Sequence, residues 1–157
     1  MVFKFNTAKA ISYANNYKEK ANPFYKTFKE EEEGCNFVSQ CLLAGCENVA
    51  RKLCPNWFYE NEKDYSKSWV NQEELLKYLL TQSECGPVGR LINKTLVTIG
   101  DVVFWNENEN KKGVGLVTRV SDNETFFVSK NIFFGENEIS LLEKMEVKFV
   151  HIVGVKK

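Results

Sequence analysis

The sequence has 157 residues, 43% apolar and 27% charged, which suits one globular domain over residues 1–157 and excludes a disordered chain. Its 21 lysines and arginines balance its 21 aspartates and glutamates. Because binders of nucleic acid and of anionic membranes usually carry a basic excess, neither partner is expected. Nothing in the composition indicates an oligomeric state.

The N-terminus and the cysteines bear on the compartment. Residues 1–6 show no basic segment leading into an apolar run, so we expect no signal peptide and a cytoplasmic protein. No apolar stretch approaches the length of a transmembrane helix. Five cysteines without a Cys-x-x-Cys pair are expected to be reduced. With only one histidine, no zinc site is expected. No other metal or cofactor is expected either.

The first two-thirds of the chain has the apolar spacing of helices. Ala10, Ala14 and Tyr17 predict a first helix, which should end before the Asn22-Pro23 pair. An i, i+1, i+4, i+5 apolar stripe that ends at Gly45 predicts a second helix. The four glutamates ahead of that stripe, residues 30–33, are expected to form a solvated loop.

A third helix is predicted by the same apolar stripe over residues 75–80. Asn71 can cap its N-terminus, and Glu74 can supply the other half of a capping box. Beyond residue 100 the pattern changes to short β-branched and aromatic runs divided by turns. These predicted strands cover residues 101–105, 115–120, 125–129 and 147–155. Helices followed by an antiparallel sheet define an α+β domain.

Residues 33–42, Glu-Gly-Cys-Asn-Phe-Val-Ser-Gln-Cys-Leu, form the most informative segment. The start of a helix favours a thiolate, because exposed N–H groups and the positive end of the dipole lie there. Downstream, Gly-Asp-Val-Val-Phe-Trp at residues 100–105 leads into Gly-Val-Gly-Leu-Val-Thr at residues 113–118. In these motifs the chain resembles the amidase-domain family of NlpC-type cysteine hydrolases, a bacterial branch of the papain-like fold.

This resemblance implies a papain-like α+β fold, with N-terminal helices packed on a C-terminal antiparallel, partly barrelled sheet. Anchored on residues 36–40, it aligns the family's nucleophilic cysteine with Gly34 and shifts Cys35 one position along the helix. Anchored on residues 114–118, it aligns the general-base histidine with Gly113. The third, base-orienting position falls at Lys130 or Asn131. Because a thiol nucleophile needs a nearby base, the resemblance implies that catalysis by this route is lost.

Three functions follow from these residues. The first is a non-catalytic binding, immunity or regulatory protein that uses the old cleft for a protein, peptide-like or peptidoglycan-like ligand. The second is a residual cysteine amidase or peptidase that uses Cys35, with His151 as the base. The third is an interaction module with a filled cleft. The candidate ligand-binding side chains are Asn36, Gln40, Trp57, Trp69 and Trp105; Trp57 and Trp69 could instead pack in the core.

Overall fold

The computed structural model describes residues 2–47, 54–81, 84–108, 110–130 and 133–156. Its helices are α1 (Thr7–Tyr17), α2 (Glu30–Gly45), α3 (Lys67–Val70) and α4 (Gln72–Leu80). Its strands are β1 (Val2–Phe3), β2 (Tyr59–Asn61), β3 (Asp64–Tyr65), β4 (Gly86–Ile92), β5 (Val102–Asn108), β6 (Lys111–Val120), β7 (Thr125–Lys130), β8 (Phe134–Glu138) and β9 (Glu146–Lys156). Short 3₁₀ turns occupy Lys94–Leu96 and Ile139–Leu142. Within these residues, no helix combines the length and apolarity needed to cross a bilayer.

The helix predictions are confirmed, with two changes. Asn6 caps α1, and α2 ends at Gly45. The glutamates of residues 30–33 form the first turn of α2 rather than a loop. Asn71 caps α4 by accepting the N–H of Glu74 at 2.9 Å. Because α3 runs directly into α4, the backbone N–H of Asn71 donates to the carbonyl of Lys67 at 2.9 Å. This N–H is therefore satisfied without the bond to the Glu74 side chain that a capping box would supply.

The main sheet is antiparallel in every described pairing and is centred on β9. Strand β4 lies along one edge of β9, while β5 and β1 pair with successive parts of its other edge. The sheet then continues through β6, β7 and β8. Strands β4 and β8 are separate outer edges, so the described sheet is open. The α+β prediction is confirmed, and the partly barrelled sheet is corrected.

The two faces of the sheet bury separate apolar clusters. Side chains alternate between faces along a strand, so Val114 and Leu116 of β6 face the helices, while Val117 lies in the other cluster. A β-bulge beside Val117 lets the strand keep its pairing past this point. Segments around Val97 and residues 139–145 cover the second face. Position on one face or the other therefore decides which side chains can meet α2.

A disulfide bond joins Cys54 to Cys85, with their Cα atoms 5.2 Å apart. It connects residues that flank the β2–α4 region, where the sequence offers no motif that indicates a bridge. The remaining thiols, Cys35, Cys41 and Cys46, are free and buried. The expectation that all five cysteines are reduced is therefore wrong for this pair, because the fold brings together two residues separated by 31 positions.

Candidate functional site

The start of α2 is the candidate site that the sequence predicts, and its central residues are buried. Gly34 is buried, and Cys35 is entirely inaccessible to solvent. Burial raises the pKa of the Cys35 thiol well above its usual range, and the charges of Glu31 and Glu32 raise it further. The ammonium of Lys112 acts in the opposite direction. The thiol of Cys35, next to the position that the resemblance aligns with a nucleophile, is thus held protonated and out of contact with solvent.

Lys112 of β6 is the charged side chain that the sheet brings towards this end of α2. Its Nζ lies 3.9 Å from Glu31 Oε2 and 3.5 Å from Glu73 Oε1, and its side chain is 13% exposed. Glu31 belongs to the first turn of α2, and Glu73 belongs to the first turn of α4. One lysine therefore neutralises acidic groups at two helix starts.

Gly113 follows Lys112, and a side chain at this position would point to the other face of the sheet. A Cβ atom at this position would lie 2.4 Å from Cζ2 and 2.7 Å from Cε2 of Trp105. The backbone carbonyl of Gly113 accepts a hydrogen bond from Gln72 Nε2 at 2.8 Å. Position 113 therefore has no room for an imidazole unless the Trp105 indole moves.

The single histidine forms a pair with a buried carboxylate. His151 Nδ1 lies 2.7 Å from Asp101 Oδ1, and the two side chains are 33% and 2% exposed. Burial raises the pKa of Asp101, while the N–H of Thr98 and the ring of His151 lower it. Sequence reasoning did not predict this pairing, although Asp101 lies in a recognised motif.

His151 and Cys35 lie on opposite faces of the sheet. Val150 and Ile152, the neighbours of His151 in β9, pack in the cluster that contains Cys35 and the helices. By strand alternation the imidazole points to the second face. The structure therefore does not bring the fallback nucleophile and its proposed base together.

Asn36 has all its polar side-chain atoms bonded within the fold. Its Oδ1 accepts the indole N–H of Trp69 at 2.9 Å. Its Nδ2 donates to the carbonyl of Lys26 at 3.1 Å and to Glu33 Oε1 at 3.0 Å. The side chain is 1% exposed. Asn36 thus fixes the loop before α2 against the segment that carries Trp69.

Gln40, one turn further along α2, takes part in a second, partly buried network. Its Oε1 accepts the hydroxyl proton of Tyr13, and that hydroxyl accepts an N–H of Asn22 at 3.1 Å. Burial raises the pKa of Tyr13 above its ordinary range. The network ties α1 and the turn at Asn22 to α2, so Gln40 has a structural partner where a ligand contact was predicted.

The three tryptophans are core residues. Trp57 and Trp69 are each 1% exposed, with ring centroids 5.1 Å apart, and Trp105 is fully buried in the second cluster. Trp105 Nε1 has no hydrogen-bond partner within the described part of the chain. These indoles fill the interior, as the core-packing alternative predicts for Trp57 and Trp69, and present almost no surface to a ligand.

Of the two residues predicted for the base-orienting position, Lys130 lies within the described part of the chain. Lys130 Nζ donates to the carbonyl of Lys20 at 2.6 Å and lies 5.2 Å from the centroid of the Phe37 ring. Burial lowers the pKa of Lys130, opposed by the charge of Glu33. The alternative, Asn131, lies outside the described residues. Lys130 anchors the turn after α1 to the sheet.

Comparison with known proteins assigns the chain to a family. The family described as Putative amidase domain matches residues 4–138, so the chain belongs to it. A protein of Bacillus subtilis (strain 168), "Uncharacterized protein YhbB", is 28% identical over 109 residues. That match covers 66% of this chain and 33% of the relative, so the chain spans about a third of its length. No solved structure matches.

Proposed function

We propose that this chain is a papain-like, NlpC-type member of the amidase-domain family that does not catalyse hydrolysis and acts by binding a protein or peptide-like ligand. An immunity, inhibitory or regulatory role is the kind of function that such a binder serves. The helices packed on one face of an antiparallel sheet are compatible with this fold type. The motif of residues 36–40 at the centre of α2 supports it further.

The observation that carries the proposal is the state of the five cysteines. Three are buried free thiols, and the other two form the disulfide bond. A cysteine hydrolase needs an accessible thiolate within hydrogen-bond reach of a base. Gly34 supplies no thiol at the family's nucleophile position, and the only histidine bonds Asp101 on the far face of the sheet.

The proposal is tested by incubating the purified, oxidised chain with soluble peptidoglycan fragments and following products by mass spectrometry. A catalytically competent cysteine hydrolase serves as the positive control, and Cys35→Ser is the matched variant. We expect the wild type and Cys35→Ser to give the same trace as buffer. Turnover by the wild type that disappears in Cys35→Ser would overturn the proposal and restore the residual-hydrolase hypothesis.

A second candidate, the interaction module with a filled cleft, is favoured by one observation. All five predicted ligand-binding residues are at most 6% exposed, and they bond or pack inside the fold. Any ligand must therefore bind elsewhere than on these side chains. Titration of peptide fragments into the purified chain separates the two candidates, because the binding protein is expected to bind them and the filled module is not.

A further inference from the structure

A cavity of about 810 Å³ lies away from the predicted site, against α4. Glu74, Lys77 and Tyr78 line it from α4, and Thr81 lines it from the C-cap, at the three- and four-residue spacing that places side chains on one helix face. The remaining walls come from residues 54–56, 58, 65–68 and 84–85. Its volume falls within the range of about 300–1,000 Å³ typical of ligand pockets.

One wall of this cavity is held in place by bonds within the chain. The disulfide bond of Cys54 and Cys85 forms one wall, and both residues are buried. The hydroxyl of Tyr78 donates to the carbonyl of Cys85, which ties α4 to the same wall. Preformed walls reduce the ordering cost of binding. The rings of Phe58 and Tyr65 add apolar lining.

The charged groups of the lining are Lys67, Lys77, Glu74 and Glu84. Within the described ranges, none of these four side chains forms a salt bridge, although oppositely charged neighbours pair elsewhere on the surface, as Arg119 and Glu136 do at 2.9 Å. Two ammonium and two carboxylate groups give the lining no net charge. Such a lining suits a ligand that carries both charges, and it gives no attraction for a polyanion.

We infer that this cavity binds a short zwitterionic peptide. The lysines face its carboxylate, the glutamates face its ammonium group, and the aromatic rings contact its side chains. The inference rests on the proposed binding function. It places the ligand in the cavity beside the disulfide bond and not at the start of α2.

The probe is tetra-alanine with free termini, titrated into the ¹⁵N-labelled, oxidised full chain while amide chemical shifts are followed. We expect saturable shifts that concentrate at residues 65–68 and 74–81. Because exposed ion pairs contribute about 0.2–1 kcal/mol, N-acetylation or C-amidation should each weaken binding up to about fivefold. Absence of saturable shifts, or equal binding of free and blocked peptides, would overturn the inference.

Charge variants identify the side chains responsible. Lys67→Gln with Lys77→Gln should weaken binding of the free peptide and leave that of the C-amidated peptide unchanged. The matched control is Lys94→Gln with Lys144→Gln, two exposed lysines outside the cavity, which should change neither affinity. Equal weakening by the control pair, or weakening that does not depend on the peptide's carboxylate, would refute the assignment. These outcomes leave the hydrolysis test untouched, so failure here is distinguishable from failure of the proposed function.

Discussion

Substitution of Gly113 tests the most direct conflict between the predicted base position and this fold. In Gly113→Ala the new Cβ would lie 2.4 Å from Trp105 Cζ2, whereas carbon atoms in favourable contact are about 3.5–4.0 Å apart. The indole must therefore move by roughly 1 Å. It has little freedom to do so, because the rings of Phe127 and Phe133 lie with centroids 5.3 and 5.8 Å from its own.

Overpacking of this kind typically costs about 1–3 kcal/mol. We expect Gly113→Ala to lie in the upper part of that range, which corresponds to a Tm lower by roughly 4–12 °C for a chain of this size. Gly113→His should be worse, because it also buries a polar ring. We expect no hydrolysis from this variant even beside Gly34→Cys, since the ring would enter the Trp105 side of the sheet.

Urea unfolding of the oxidised protein, followed by circular dichroism, measures the free energy of unfolding. Trp105→Phe removes the indole atoms nearest to the new methyl group, so the cost of Gly113→Ala should fall by at least about 0.5 kcal/mol in that background. A cost below about 0.5 kcal/mol for Gly113→Ala alone, or the same cost in both backgrounds, would refute the steric reasoning.

Three further predictions concern thiols and charge. Native Cys35 should resist iodoacetamide even at mildly alkaline pH, because burial excludes the reagent and raises the pKa; rapid alkylation detected by intact mass would contradict this. Replacing Cys54 and Cys85 by serine opens a loop of 31-residue separation and should cost about 3–4 kcal/mol, measured by thermal unfolding. Burial raises the pKa of folded Asp101 above its ordinary value of 3.8. Above this raised pKa, the charged carboxylate lowers the free energy of unfolding. The destabilisation disappears as the pH falls towards 3.8. The stability of the wild type relative to Asp101→Asn should therefore rise between about pH 7 and pH 4 in urea titrations; a fall would show that the pairing with His151 dominates.

Helix positions could be predicted from the sequence because they depend on local spacing and caps. The apolar stripe before Gly45 and the side chain of Asn71 each act over one or two turns. Strand β4 could not be predicted, because Gly86 and Pro87 have low strand propensity and an edge position beside β9 makes them tolerable. Here pairing with a distant strand outweighs local preference.

The candidate site was harder to predict, because motif alignment gives the order of residues and not the face of the sheet. Lys112 and Gly113 are neighbours in sequence, yet only Lys112 approaches the start of α2. The disulfide partner of Cys54 and the carboxylate beside His151 also depend on residues distant in the sequence. Such contacts follow from tertiary packing, which local patterns do not encode.

The pairing of His151 with Asp101 also gives the molecule a built-in spectroscopic reporter. The chain has one histidine, so its imidazole ring protons are the only ones of their type in a proton NMR spectrum. The ring joins β9 to the residue that precedes β5, through one bond to a buried oxygen. Any event that separates these strands would be visible at a single pair of resonances, without isotope labels or an introduced probe.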